Sequence, residues 1–485
     1  MPKLTIWQDG RCREVFWDSQ PMLRDVLQKA GYLVSHPCGG RGVCQKCAVI
    51  LEGEVSEPNE AERLAGHRLS CQARLLGDAS VILPSADADA QIETQIGIIG
   101  PELQPMAGRY GAAVDIGTTT IAVKIFDLQT AACVGEAACL NGQMSVAADV
   151  MGRIDAACKG RAAELQRLVL QDLESLLQRA LPGRNVDAMV LTGNTTMLYL
   201  LSGVDPEPLS HAPFFAEHLL DEKTTILDIP TYIPPCISAF VGADITCGIL
   251  TAGMCDGEET AVFCDIGTNG EIALWHGGKL FVTSTAAGPA FEGAGISCGC
   301  GSIPGAIDKV WLEDNRLCVH TIGGAAPIGI CGSGLLDAVA AGLRSGRIDE
   351  TGAMEEPPFV LWGDIALQQR DIRAVQLAKA AIAAGLVTLA DAAEVPLSDI
   401  QRIYIAGGFG SHLDVDNAAY IGLIPQQLCA KTQILGNAAL TGAVNALLNT
   451  AQWQQLRRIA SVSRHVDLGG NPQFNQNYIE QMFFA

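Results

Sequence analysis

A small α+β unit followed by a larger, two-lobed α/β unit is the fold class this sequence predicts, on three observations. The first is a stretch rich in cysteine and glycine, "HPCGGRGVCQKCAV" at 36–49, set among the strand-like segments of residues 1–84. The second is an internal repeat: "AAVDIGTTTIAVKIF" at 112–126 returns as "AVFCDIGTNGEIALW" at 261–275. The third is an alternation, from Tyr110 onward, of strand-like apolar runs with helical stretches, which is the pattern of α/β architecture.

At 485 residues the chain is too long for one ordinary domain. Lys and Arg total 32 against 53 Asp and Glu, a net charge of −21 that argues against nucleic acid and against an anionic membrane as partners. The N-terminus lacks the continuous apolar core of a signal peptide, and no run reaches the ~18 apolar residues of a membrane span. A cytoplasmic protein is expected. In that reducing compartment the 17 cysteines point to metal ligation, redox work or burial, not to a disulfide framework.

The elements follow in order. "LTIWQDG" and "REVFW" alternate like a hairpin around Asp9-Gly10. "MLRDVLQKAG" reads as a short amphipathic helix ending at Gly31, followed by the cysteine loop, a strand "CAVILEGEV" and a closing strand "SVILP". Residues 85–109, with Pro101 and Pro105 and no clear periodicity, read as a linker. From 110 to 485 the repeat divides the chain into lobes of roughly 110–258 and 259–450 plus a C-terminal tail. "ELQRLVLQDLESLLQRAL" and "DIRAVQLAKAAIAAGL" are the clearest helices between the strands.

Each copy of the repeat is strand, Asp-Ile-Gly-Thr turn, strand, so two similarly folded halves should face one cleft. Gly117 and Gly267 let the backbone turn tightly and approach a ligand. Backbone N–H groups, the hydroxyls of Thr118, Thr119, Thr120 and Thr268, and the amide of Asn269 can cradle phosphate oxygens, with Gly270 completing the second turn. Asp115 and Asp265 are the expected catalytic pair, holding a hydrated Mg²⁺ and orienting a water for in-line attack. Gly407, Gly408 and Gly410, with Phe409 among them, form a turn suited to close approach by a nucleoside. Mg-ATP is the expected ligand. No Walker loop is present.

Cys38, Cys44 and Cys47, spaced C-x5-C-x2-C, join Cys71 in a four-thiolate set of the ferredoxin type. A [2Fe–2S] cluster is favoured by backbone N–H groups pointing at its sulfides, and Gly39, Gly40 and Gly42 allow that close wrapping. Zinc, the alternative, usually takes C-x2-4-C pairs or histidine. The spacing departs by one residue from the plant type and resembles the adrenodoxin-like variant. Cys12 lies outside the pattern. Cys298-Gly-Cys300 lacks partners at ligand spacing and reads as packed cysteines in a Gly-rich loop; an ATP-gated loop is the functional alternative.

Taken together, 1–84 is similar to a β-grasp ferredoxin, and about 110–450 resembles the actin/Hsp70/sugar-kinase (ASKHA) superfamily. By that second analogy "VLTGNTTMLYLL" and "LGNAALTGAVNALL" would connect the lobes, and Gln376 or Lys379 would lie near the adenine and ribose. "NGQMSVAADVMGRID", "LTGNTTM", "AAGPAFEGAGISCG", "PGAID", "ICGSGLLDAVA", "IYIAGGFGSHLD" and "DLGGNPQFNQNYIEQMFF" resemble, in combination, the reductive activators of corrinoid-dependent enzymes. The resemblance implies an ATP-hydrolysing oxidoreductase that returns Co(II) corrinoid to Co(I) with an electron from its [2Fe–2S] cluster. It implies a corrinoid methyltransferase protein as partner and a ferredoxin or flavoprotein as low-potential reductant, and leaves open a homodimer. Compared with longer members, the chain passes almost directly from ferredoxin to nucleotide unit, with little room for a middle domain. Two other readings stand beside it: an activator of a 2-hydroxyacyl-CoA dehydratase or aryl-CoA reductase, and a redox-sensing, ATP-dependent regulatory module.

Overall fold

The computed structural model describes residues 2–8, 11–30, 32, 34, 47–59, 62–63, 67–83, 103–314, 316–408 and 413–484. Alternation at the N-terminus becomes a five-stranded mixed sheet built from β1 (Lys3–Gln8), β2 (Arg11–Phe16), β3 (Ala48–Val55), β4 (Arg68–Leu69) and β5 (Leu75–Ile82), in the order β2-β1-β5-β3-β4. β1 and β2 pair antiparallel from Lys3↔Phe16 to Gln8↔Arg11, while β1 and β5 run parallel. Side chains two apart share a face: Leu4 and Ile6 are fully buried and Trp7 is exposed. The helix Leu23–Lys29 lays Leu23, Val26 and Leu27 on that buried face, against Leu4, Ile6, Leu75 and Val81. The first and last strands side by side, with one helix across them, make the expected β-grasp. The closing strand begins at Leu75, earlier than expected, because "LGDA" reads as a turn but runs on as strand.

Of the predicted linker, 103–109 is described, and it is pinned down. Gln104 N–H donates to Leu448 O and Met106 N–H to Leu447 O, tying this segment to the end of the helix Ala438–Leu448.

The repeat proves to be a duplication of topology. The first large sheet comprises β6 (Tyr110–Ile116), β7 (Thr120–Asp127), β8 (Ala132–Leu140), β9 (Ala188–Gly193), β10 (Leu220–Ile226) and β11 (Ile229–Pro235), ordered β10-β11-β9-β6-β7-β8. The second takes β12 (Ala261–Ile266), β13 (Gly270–His276) and β14 (Lys279–Thr285), then, after β15 (Ala306–Glu313), β16 (Arg316–Thr321), β17 (Gly329–Ile330), β18 (Phe359–Trp362) and β19 (Ile365–Leu367) in two small side sheets, β20 (Arg402–Ala406), β21 (Thr432–Gly436) and β22 (Ser463–His465), ordered β21-β20-β12-β13-β14-β22. In both, a three-stranded antiparallel meander is followed by a fourth strand parallel to the first and a fifth parallel to the fourth. Only the added edges, β10 and β22, differ.

Sheets covered on both faces are apolar on both faces, and these divide their residues between two cores each. Ala112 and Val114 face the first lobe's own helices, including Ala162–Ala180, while Ala113 faces a shared core. Val262 and Cys264 face the second lobe's core with helices Gly332–Arg344 and Gln369–Ala392, while Phe263 turns to the shared one. Filling that shared core are helices Ala243–Ala252 and Ala438–Leu448, which cross so closely that a Cβ on Gly442 would lie 2.2 Å from Cys247 O. The helix Thr195–Ser202 in "VLTGNTTMLYLL" was expected to connect the lobes. It packs instead inside the first lobe, its place between the sheets taken by Ala243–Ala252. Gln369–Ala392 is long and apolar enough to cross a membrane, but 78% of its most apolar window is buried within the fold.

Candidate functional site: a thiol pair and a two-turn acidic cleft

Cys47 immediately precedes β3, and Cys71 follows β4; these strands pair, with Ala48 opposite Leu69. Their Sγ atoms are 3.2 Å apart, and both thiols are buried and free of any disulfide. Two thiolates at tetrahedral angles on one metal, with metal–sulfur bonds of ~2.3 Å, stand about 3.8 Å apart, so a small outward relaxation seats one iron between them. Gln72 Nε2 donates to Cys71 Sγ at 3.7 Å, and Asn59 Nδ2 holds Gln72 Oε1 at 2.8 Å. Buried Glu62 steadies the frame, accepting from Leu69 N–H and Arg68 Nε, both at 3.0 Å. A hydrogen bond to a ligating sulfur is one of the ways a protein tunes a cluster's potential. Cys38 and Cys44 lie outside the described residues. Cys12 is exposed, on β2 opposite Trp7.

The cleft is built where the two repeat turns meet. Gly117 N–H donates to Thr120 O at 2.9 Å, and Gly267 N–H to Asn269 O at 3.0 Å. Asp115 and Asp265 occupy matching places, each the next-to-last residue of its sheet's first strand, paired with Thr192 and Ala406 of the fourth strands. Gly407 turns beside Asp265 at φ +98°, where a Cβ would lie 2.7 Å from Asp265 Oδ1; at Gly408 a Cβ would meet nothing within 4 Å among the described residues. Phe409 and Gly410 lie outside the described residues.

Around this pair the fold gathers groups from separate elements. Asp244 stands in the first turn of Ala243–Ala252, Glu271 lies opposite Asp265 on β13, and Asn437 caps Ala438–Leu448. Asn437 Nδ2 donates to Asp115 Oδ2 at 3.0 Å. Burial pushes the Asp115 carboxyl up to about 6, which the Asn437 amide partly opposes. Burial, then Asp115, push Asp265 to about 7. Burial, then Asp115 and Asp265, push Asp244 to about 8. Glu271 is raised well above its ordinary range by burial, then by Asp244 and Asp265. Packed acids that must share protons are relieved by a nearby cation. Among the described residues no three of them close on one point tightly enough to ligate an ion together.

Thr119 and Thr268 turn their hydroxyls inward, where both donate to Glu292, at 3.3 and 2.7 Å. Behind the first turn, buried Arg153 donates from Nη2 to Thr118 O. Gln376 and Lys379 are not found at this cleft. Both are buried: Gln376 Nε2 donates to Thr351 O and Met482 O, its Oε1 accepts from Arg373, and Lys379 Nζ donates to Phe483 O. The structure commits them to the C-terminal segment, a correction to their expected place beside the nucleoside. Cys298 and Cys300 are half-buried, and burial, then Asp371, push the Cys298 thiol to about 12, so it stays protonated.

Known proteins match this layout along the chain. A 2Fe-2S iron-sulfur cluster binding domain matches residues 8–76, the RACo middle region matches 110–257, and the C-terminal domain of RACo, the ASKHA domain, matches 259–485. The middle region, for which the sequence was expected to leave little room, is thus present and is the first lobe itself. The corrinoid activation enzyme RamQ of Eubacterium limosum is 33% identical over 420 residues, covering 78% of this chain and 70% of that protein. The [Co(II) methylated amine-specific corrinoid protein] reductase of Methanosarcina barkeri is 23% identical over 77% of each chain. A solved reductive activator for corrinoid, iron-sulfur protein superposes on 99% of this chain and 98% of its own, with a TM-score of 0.74 and 26% identity. The chain therefore belongs to the RACo family, the reductive activators of corrinoid proteins.

Proposed function

We propose that this protein is an ATP-dependent reductive activator that returns the Co(II) corrinoid of a methyltransferase system to Co(I). The observation that carries this reading is the union, in one chain, of a buried thiol pair with a two-turn acidic cleft. When bound, a [2Fe–2S] cluster supplies a one-electron donor; plant-type centres lie near −400 mV. Cys38, Cys44, Cys47 and Cys71 would hold it, with the Gln72 amide directed at the Cys71 sulfur. In the cleft, Thr118, Thr119, Thr120, Thr268 and Asn269 would take phosphate oxygens, and Gly407 and Gly408 the nucleoside. Asp115 and Asp265 would hold a hydrated Mg²⁺ and orient the attacking water. The division into 1–84, a linker at 85–109 and the ATPase at 110–485 goes with this reading, as do a low-potential ferredoxin or flavoprotein donor and a cytoplasmic location.

Coupling of ATP to electron transfer has a modest energetic demand. Moving one electron uphill by 100 mV costs about 2.3 kcal/mol, a size that a conformational change between two lobes joined through a shared core can deliver. The test is anaerobic: reduce the holoprotein, add a Co(II) corrinoid methyltransferase protein, and follow the Co(I) absorbance band with and without Mg-ATP. Co(I) should form with ATP and vanish in Cys47→Ala and in Asp265→Ala. A reducible cluster and active ATP hydrolysis with no Co(I) would overturn the reading in favour of a CoA-ester reductase activator or a sensor.

A further inference from the structure

Glu292 bridges the two phosphate turns. It ends the short helical turn Pro289–Glu292, and its two carboxylate oxygens accept from different lobes: Oε1 from Thr268 at 2.7 Å and Oε2 from Thr119 at 3.3 Å. A carboxylate and a terminal phosphoryl group present the same chemistry to a hydroxyl, a negative charge and acceptor oxygens. A hydroxyl proton serves one of them at a time, and the two anions repel. The groups that would take up phosphates are therefore already engaged by an internal anion.

The loop on the C-terminal side of Glu292 is tied to two helix starts. Ile330 N–H donates to Cys298 O and Cys300 N–H to Ile330 O, both at 2.8 Å, just before the helix Gly332–Arg344 begins. Ser297 donates from N–H and Oγ to Asp371 Oδ1, at 2.9 and 3.0 Å, in the first turn of Gln369–Ala392. A displacement of Glu292 thus has a short covalent path to the loop 293–300 and, through it, to the second lobe's core helices.

Resting on the nucleotide reading above, we propose that Glu292 is a positioning residue that stands in for phosphate: it clasps the lobes while the cleft is empty, yields Thr119 and Thr268 to the phosphates of ATP, and so reports occupancy to the loop 293–300. A ligand shifts such an equilibrium only through its differential affinity for the two states, so the clasp must oppose binding. Removing it should tighten nucleotide binding while weakening what binding transmits.

The experiment measures AMPPNP affinity by calorimetry on the full chain, together with hydrogen exchange of peptides spanning 293–301, for wild type, Glu292→Ala and Glu292→Gln. Glu292→Gln preserves shape and packing, so a folding defect in the alanine variant does not decide the matter. Both variants should bind AMPPNP about five-fold or more tightly than wild type, with exchange in the free protein already shifted toward the nucleotide-bound pattern. Weaker or unchanged affinity, or a wild-type exchange response in Glu292→Gln, overturns the clasp. Unchanged affinity with a collapsed hydrolysis rate would overturn it in favour of direct catalysis by Glu292. Wild-type protein that binds no AMPPNP sinks the nucleotide reading itself, a distinguishable result.

Discussion

Behind the first lobe's repeat turn stands a cation; behind the second lobe's stands an acid. Arg153, fully buried, donates to Thr118 O, to Ala147 O at 3.1 Å and to Gln143 Oε1 at 3.2 Å. Burial drags its guanidinium down only to about 10, so it remains charged at neutral pH. The second turn has Glu271 across the hairpin from Asp265, its carboxyl raised well above the ordinary range by burial, then by Asp244 and Asp265. The two halves copy one another in strand order and in the place of their aspartates, and depart in charge. Backbone topology constrains which strands pair, and leaves the residue behind each turn free to diverge. The result is one turn fixed by a permanent charge and one whose charge follows its surroundings.

The largest expected effect comes from breaking the fixed side. Arg153→Met leaves two carbonyl oxygens and the Gln143 amide oxygen without this donor, at a cost of about 3 kcal/mol. It should also slacken the first turn, raising the KM for ATP more than it lowers kcat. Glu271→Gln replaces the carboxyl by a group of the same shape and should change stability by less than about 1 kcal/mol. Denaturation midpoints and ATPase kinetics of the two variants check the pair. Equal costs would mean that the lobes do not differ in this way.

A middle-sized effect concerns the acids that share the cleft. Asp115, Asp265 and Asp244 are raised to about 6, 7 and 8, against an ordinary value near 3.8. From about pH 4 to about pH 8 the folded chain therefore holds protons that the unfolded chain has released, and stability falls as pH rises through that window. Without nucleotide or Mg²⁺, the thermal midpoint should drop on the order of 5 °C between pH 6 and pH 8.5. Asp244→Asn should flatten the upper end of that fall, because Asp244 titrates highest, and added Mg²⁺ should restore more at pH 8.5 than at pH 6. A variant that falls as steeply as wild type would remove the cleft as the source.

What could be read from the sequence was what is local. The duplicated turns announce themselves because strand, Asp, turn and strand occupy one short segment, and the 2Fe-2S binding domain because its cysteines are closely spaced along the chain. Asp244, Glu271, Glu292, Asn437 and Arg153 come from five separate elements and become neighbours only once both sheets and the crossing helices are in place. Several lie inside segments whose family resemblance is plain, such as "AAGPAFEGAGISCG", yet nothing along the chain says that Glu292 reaches two turns at once. Gln376 and Lys379 show the opposite error. Three apart on an apolar helix face, they look like ligand contacts; their partner is the last stretch of the chain, whose docking no periodicity foretells. Thr195–Ser202 misled similarly, since an apolar helix after a Gly-Asn turn reads alike whether it lies between lobes or within one.

The smallest effect sharpens the comparison between the two aspartates. Asn437 does two jobs: its Oδ1 accepts from Leu440 N–H at 2.8 Å as a helix cap, and its Nδ2 donates to Asp115. Among the described residues Asp265 has no comparable relief, since burial and Asp115 both push it upward. Asn437→Ser keeps a capping oxygen and removes the amide donor, so stability should change little while the Asp115 carboxyl rises toward that of Asp265. On the catalytic role proposed for these carboxyls, the acidic limb of ATP hydrolysis should move to higher pH by a fraction of a unit. Asn437→Ala should show the same movement plus about 1 kcal/mol of lost stability from the cap. If the limb stays put in both variants, Asn437 serves the helix alone, and the difference between Asp115 and Asp265 comes from burial and not from the group that touches one of them.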